Sequence, residues 1–148
     1  GVCVAPVGHS CSDPIDVTGI LAPITVTGTF DTPASFSGSC ISAAWSGDPY
    51  PNAVWFQYTA LSDEEHVIDV NNNGSDAAYS RLVVYESADA PSCTSDMPEV
   101  FCGSGGWSEG QSMTATVAMT SGMHYVILFH TDGGSYEMLD PDIMISTP

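Results

Sequence analysis

Between Ala53 and Tyr85 the chain crosses three short apolar runs with nothing helical between them. Ala53-Val54-Trp55-Phe56-Gln57-Tyr58-Thr59 fills nearly every position with a β-branched or aromatic residue. His66-Val67-Ile68-Asp69-Val70 alternates, and Arg81-Leu82-Val83-Val84-Tyr85 is almost wholly apolar. Such side chains lose χ1 freedom in a helix and pack well on a pleated surface. Clusters of Ser, Asp, Asn and Gly separate the runs, so three β-strands and their connections are expected.

The rest of the chain repeats that signal. Ile15-Asp16-Val17 reads as a short edge strand and Pro23–Phe30 as a fuller one, with Ile24 and Val26 on one face and Thr25 and Thr27 on the other. A short strand is expected near Glu99–Cys102. Met113–Met119 alternates cleanly, which places Met113, Ala115, Val117 and Met119 inward. His124–His130 is apolar on both faces and so reads as a central strand; the last strand falls near Asp142–Ser146. Ser121-Gly122 and Asp132-Gly133-Gly134-Ser135 supply turns, and the segment from Gly103 to Gly110 is a glycine-rich loop. Eight or nine short strands without a helical stretch predict an all-β fold, an antiparallel β-sandwich of jelly-roll type. Residues 1–10 read as a linker and 11–148 as one domain, a length that buries about two-thirds of the unfolded surface.

Charge removes whole classes of partner. Arg81 is the one Lys or Arg, against 18 Asp and Glu, for a net charge of −17. Phosphate recognition depends on Lys and Arg, so nucleic acid and anionic membrane surfaces are excluded as direct partners. No run approaches the roughly 20 apolar residues that span a bilayer, so direct membrane insertion is not expected. The acidity suits solubility in saline surroundings, and some carboxylates are candidates for calcium. Five cysteines in so short a chain favour an oxidising compartment, hence a secreted or cell-surface location. The odd count leaves one over, and Cys3 is the expected spare, with self-association through it as a consequence.

Asp69, Asn71, Asn73 and Asp76 form the candidate calcium set. Asp69-Val70-Asn71-Asn72-Asn73-Gly74 fits the first half of a calcium loop, with oxygen ligands at alternate positions and then the glycine of the tight turn. Ser80 stands twelfth, where a bidentate acid belongs, and the bland reading of a polar strand connection is preferred. Asn73-Gly74-Ser75 also has the form of a glycosylation sequon. Trp45, Tyr50, Trp107 and Tyr136 fall in loops and are the candidate ligand-binding aromatics, since flat rings give contact area at small entropic cost. The bland alternative is that they cap the ends of the core. Gly106-Trp107-Ser108-Glu109-Gly110 matches Gly-x-Ser-x-Gly, but a glycine loop precedes it and an alternating strand follows, so no catalytic role is expected for Ser108. His124 and His130 share a strand face about 20 Å apart, too far for one metal. His66 and His9 lie elsewhere, and all four histidines read as structural or surface groups.

Cysteine spacing suggests Cys93–Cys102 as one disulfide, closing a ten-residue loop worth about 2.5–3 kcal/mol in the chain-entropy account. Cys11–Cys40 would be the second, with Cys3–Cys11 as the competing pairing that leaves Cys40 free.

A Trp-aromatic-x-Tyr strand, a His-x-Ile-x-Val strand and a Leu-Val-Val-Tyr strand, in that order, are followed by two cysteines. This arrangement resembles the bacterial pre-peptidase C-terminal domain, in the cysteine-containing version common in marine Bacteroidetes. The resemblance runs from about Cys11 to Ser146. The family's opening Asn-Asp-x-Cys-x-x-Ala aligns with Gly8-His9-Ser10-Cys11-Ser12-Asp13-Pro14, where the cysteine alone is kept. A family aspartate is replaced by Tyr79, and a later turn and strand are matched by Ser121-Gly122-Met123-His124-Tyr125. The resemblance implies a non-catalytic β-sandwich module of a secreted or surface bacterial protein. Its expected partners are the other domains of that protein, and a carbohydrate or extracellular protein as ligand. The rival expectation is a structural repeat or subunit of a surface appendage or adhesin, joined through the linker and Cys3.

Overall fold

A computed structural model describes residues 13–20, 24–25, 52–72, 80–88, 97–104, 112–131 and 141–148. Within them lie nine strands: β1 Ile15–Asp16, β2 Ile24–Thr25, β3 Asn52–Thr59, β4 Glu64–Asn72, β5 Ser80–Ser87, β6 Glu99–Ser104, β7 Ser112–Met119, β8 His124–Thr131 and β9 Pro141–Ser146. They form a five-stranded sheet in the order β1-β3-β8-β5-β6 and a four-stranded sheet in the order β2-β9-β4-β7. From β2 onward this is the double Greek-key arrangement of a jelly roll, with β1 added at one edge.

That added strand departs from the all-antiparallel expectation. β1 runs parallel to β3, with Ile15 opposite Phe56 and Asp16 opposite Gln57. The connection explains the direction: the chain leaves β1, contributes β2 to the opposite sheet and comes back to form β3. Parallel neighbours require a long crossover of this kind, whereas a hairpin gives antiparallel ones.

Period-two alternation sets what each sheet buries. Val54, Phe56 and Tyr58 of β3, Leu82 and Val84 of β5, and Tyr125, Ile127 and Phe129 of β8 face the interior between the sheets. From the other side Ile68 and Val70 of β4, the inward row of β7, and Ile143 of β9 meet them. On β7, Met113, Ala115, Val117 and Met119 are buried while Thr114, Thr116 and Ala118 are exposed, as the alternation predicts. Full burial of each large apolar side chain here contributes about 1.5–3 kcal/mol. The five-stranded sheet is buried on its outer face too, where Trp55, Val83, Tyr85, Val126 and Leu128 pack with Met97 and Cys102. β8 is therefore apolar on both faces because it sits inside a sheet covered on both sides.

Two turns fix one end of the sandwich. Gly122 takes φ +85°, the left-handed conformation that costs other L-residues most, and lets Met123 N–H donate to the Thr120 carbonyl at 3.0 Å. Gly122 N–H in turn donates to the Ala60 carbonyl (2.8 Å), Ala60 N–H to the Met123 carbonyl (3.0 Å), and Ser121 N–H to Asp63 Oδ1 (2.7 Å). The β7–β8 turn and the β3–β4 turn are thus fastened together. The fully buried Tyr125 ring aims its hydroxyl at the same corner, accepting from Thr120 N–H at 2.9 Å and donating to Glu86 Oε2 at 3.2 Å.

Candidate functional site

A cleft of about 400 Å³ opens at this end, between the edge of the five-stranded sheet and the end of β9. Its first wall is built by the parallel β1–β3 pairing. Thr59 N–H donates to Thr18 Oγ1 (2.9 Å), which lays residues 18–20 beside the end of β3. Asp16 Oδ1 accepts from Thr18 N–H (3.0 Å), and Gly19 at φ +71° completes the turn that sets Ile20 at the rim. The β3–β4 turn supplies Leu61, Ser62 and Glu64. The second wall is β9 with Thr147 beyond it.

The opening follows from register. β4 and β9 pair from Asn72↔Pro141 to Val67↔Ser146 and stop. His66 lies one residue further along β4, on the inward face that it shares with Ile68 and Val70. It stands where the ladder to β9 has ended, and it lines the cleft although only 1% exposed. Its ring meets Tyr58 of the opposite sheet edge-on, with centroids 5.5 Å apart at 62°.

Two hydrogen-bond facts define the chemistry. His66 Nδ1 is 3.0 Å from the Glu64 carbonyl oxygen, which can only accept, so Nδ1 carries the proton. In the neutral ring Nε2 is then a bare acceptor, and it is buried without a hydrogen-bond partner among the described residues. The Glu64 carboxylate is exposed and accepts from Ser62 Oγ at 2.6 Å. Burial, with the negative charge of Glu64 added to it, raises the Tyr58 phenol above its ordinary value. The rim is apolar: Ile20, Leu61 and Met144 are three of the four exposed large hydrophobic residues among those described.

Of the calcium set expected from sequence, Asp69 and Asn71 are described. Asp69 projects from the outer face of β4, half-buried, and its Oδ1 accepts from Thr114 Oγ1 at 2.6 Å across to β7. Asn71 shares that face, while Asn73 and Asp76 fall outside the described residues. Among the described residues no three His, Cys, Asp or Glu side chains are grouped to hold a metal. Trp45, Tyr50, Trp107 and Tyr136 also fall outside them, as do Cys3, Cys11, Cys40, Cys93, Ser108 and His9. Cys102, half-buried on β6, takes part in a disulfide whose other half lies outside the described residues. His124 is hydrogen-bonded through Nδ1 to Thr59 Oγ1 at 3.0 Å. His124 is satisfied in this way, whereas His66 is buried with one bond made and Nε2 without a partner among the described residues. Its inward parity with Ile68 and Val70 was the available signal.

No protein-family model and no curated protein sequence matches the chain. Its fold is shared. A carbohydrate-binding module of the CBM4 class superposes with a TM-score of 0.50 at 9% identity, over 68% of this chain and 64% of that one. The chain thus spans somewhat under two-thirds of that module's length. The K3 cleaved adhesin domain of Lys-gingipain from Porphyromonas gingivalis W83 matches at 12% identity over 84% of this chain and 74% of that one, TM-score 0.47. An exo-β-1,3-galactanase from Phanerochaete chrysosporium matches at 13% identity over 85% and 30%, TM-score 0.40. The likeness to the carbohydrate-binding module is one of fold, an all-β sandwich. Among the described residues no helix is long and apolar enough to cross a membrane.

Proposed function

We propose that the chain is a non-catalytic accessory module of a larger exported bacterial protein, one that binds a carbohydrate or an extracellular protein. The observation that carries this reading is the end cleft. It combines an apolar rim, a buried acceptor without a partner and an exposed carboxylate, the mix of apolar surface and few convergent polar groups that small ligand sites use. The shared jelly-roll fold and the resemblance to pre-peptidase C-terminal domains support the same role. Cys93–Cys102 and Cys11–Cys40 belong to the proposal as the crosslinks of an exported domain, and peptide mapping without reduction tests them: Cys93 or Cys102 joined to Cys3 refutes the pairing.

A glycan and matrix-protein array tests the role. A specific hit, with no turnover of the bound partner, is expected. Turnover, or no hit in either class, overturns the proposal. A Cys3-linked ladder on a non-reducing gel would place the chain in an assembled appendage instead.

A further inference from the structure

We infer that the end cleft receives a primary ammonium group on an aliphatic stem, the side chain of a lysine presented by a partner protein. The inference rests on the binding role proposed above and narrows it to one site and one chemistry.

The polar lining decides the sign of the ligand. His66 Nε2 is an acceptor by tautomer, and the Glu64 carboxylate accepts at every lone pair. Ser146 and Thr147 bring hydroxyls that accept as readily as they donate. Among the described residues no Arg, Lys, Asn, Gln or Trp lines the cleft. An anion would meet the Glu64 carboxylate, with only neutral hydroxyls, that of Tyr58 among them, as side-chain donors among the described residues. A sugar hydroxyl both donates and accepts, and sugars favour an open ring face. Tyr58 is 7% exposed with its ring set edge-on to His66, so among the described residues lining the cleft no such platform is offered. An ammonium carries three donors and no acceptor, which is the complement of this lining.

The apolar rim supplies the rest. Ile20, Leu61 and Met144 flank the mouth, where they can cover the methylene stem that lysine lays along apolar surface. Asp63, Glu64 and Glu65 are consecutive and exposed beside it, on a chain of net charge −17. A cationic partner is thereby steered toward this end. A buried acceptor left unsatisfied carries an uncompensated desolvation cost. A charge-assisted bond from the ligand removes that cost in the complex and gives the binding its selectivity.

The test uses the whole chain and four short peptides, acetylated and amidated at their ends. One holds a single central lysine, and the others replace it with Nε-acetyl-lysine, norleucine or arginine. Amide and methyl NMR shifts are followed at about 0.15 M salt, where long-range attraction is screened. The lysine peptide should shift Ile20, Leu61, His66 and Met144 together, and the acetylated and norleucine peptides should not. Arginine, broad and planar, should bind more weakly than lysine. Glu64→Gln and Leu61→Ser, both at exposed positions, should each weaken lysine binding by about three- to tenfold. Glu99→Gln, on distant β6, is the control for bulk charge and should leave it unchanged. Equal binding of lysine and acetyl-lysine overturns the inference, as does equal loss in all three variants. So does a neutral oligosaccharide that shifts the cleft residues when no amine does. An array partner that binds away from the cleft would leave the module reading standing and remove this one.

Discussion

Replacing Tyr125 by Phe isolates the contribution of one hydroxyl to the corner that carries the cleft. The ring is fully buried and stays packed in the variant, so the change removes only the bonds from Thr120 N–H (2.9 Å) and to Glu86 Oε2 (3.2 Å). A neutral hydrogen bond contributes about 0.5–1.5 kcal/mol net and one to a carboxylate about 1.5–3 kcal/mol. The second is long here, which puts it at the low end. Thr120 is exposed and Glu86 half-buried, so water can satisfy both groups left behind and no full desolvation penalty follows. The expected loss is about 2 kcal/mol. For a domain of this size each kcal/mol moves Tm by about 2–4 °C, so Tm should fall by about 4–8 °C. Urea unfolding should show the same loss at unchanged m-value. In a double-mutant cycle with Glu86→Gln the two changes should couple by at least about 0.5 kcal/mol. Because the corner ties Gly122 N–H to Ala60, hydrogen exchange at Gly122 should also accelerate. A Tm within about 1 °C of the parent, or no coupling to Glu86, refutes this account of the corner.

Tyr85 gives an alkaline prediction: burial, reinforced by the charge of Glu99, pushes its phenol up to about 12. Between about pH 10 and 12 the folded chain then holds a proton that the unfolded chain has released, so stability is intact below pH 10 and falls by about 2–3 kcal/mol by pH 12. Tyr85→Phe should flatten that decline in a pH series of melts; an equally steep one locates the effect elsewhere. Gly122→Ala meets no heavy atom within 4 Å of its new Cβ, so its cost is the left-handed backbone alone, about 1 kcal/mol, with Gly122→Asn milder in the same melt. The calcium reading of Asp69, Asn71, Asn73 and Asp76 expects a rise in Tm with calcium beyond that with magnesium at equal ionic strength, abolished by Asp69→Ala. Equal shifts with the two ions would leave charge screening as the whole effect.

Where the sequence is periodic, the fold was legible. The alternation of Met113–Met119 fixes both faces of β7, and the two-faced apolarity of His124–His130 marks an interior strand of the sheet. β1 shows what periodicity cannot carry. Two residues have no pattern, and their parallel pairing depends on where the intervening chain travels. The cleft was hidden for a related reason. Parity could place His66 inward, but its role depends on Tyr58 of the facing sheet and on the residue where β9 stops pairing. Leu61 carries no local signal at all: a single leucine after a strand is equally a core residue or a rim residue until the turn around it is known. The loop aromatics and the Asp69 set are legible because their residue types are suggestive in isolation. The cleft is made of ordinary residues brought together by topology.

His66 is where stability and binding separate, and His66→Leu tests that separation. The histidine is 1% exposed, keeps one bond to the Glu64 carbonyl and leaves Nε2 without a partner among the described residues. Removing both ring nitrogens abolishes the stranded acceptor, a gain of about 1–3 kcal/mol. It forfeits the Nδ1 bond, about 1 kcal/mol, and Glu64 is exposed enough for water to take its place. It also loses the edge-on contact with Tyr58, about 0.5–1.5 kcal/mol beyond burial. These contributions nearly cancel, so Tm should stay within about 4 °C of the parent, whereas an ordinary large substitution at a core position of this depth costs several kcal/mol. Binding should not stay the same. Without the acceptor the lysine peptide should lose at least tenfold in affinity, about 1.4 kcal/mol or more. A stable His66→Leu variant that still binds lysine at parental strength would show that the imidazole is only a wall of the cleft. A variant that unfolds near room temperature would show that its polar atoms are satisfied and structural.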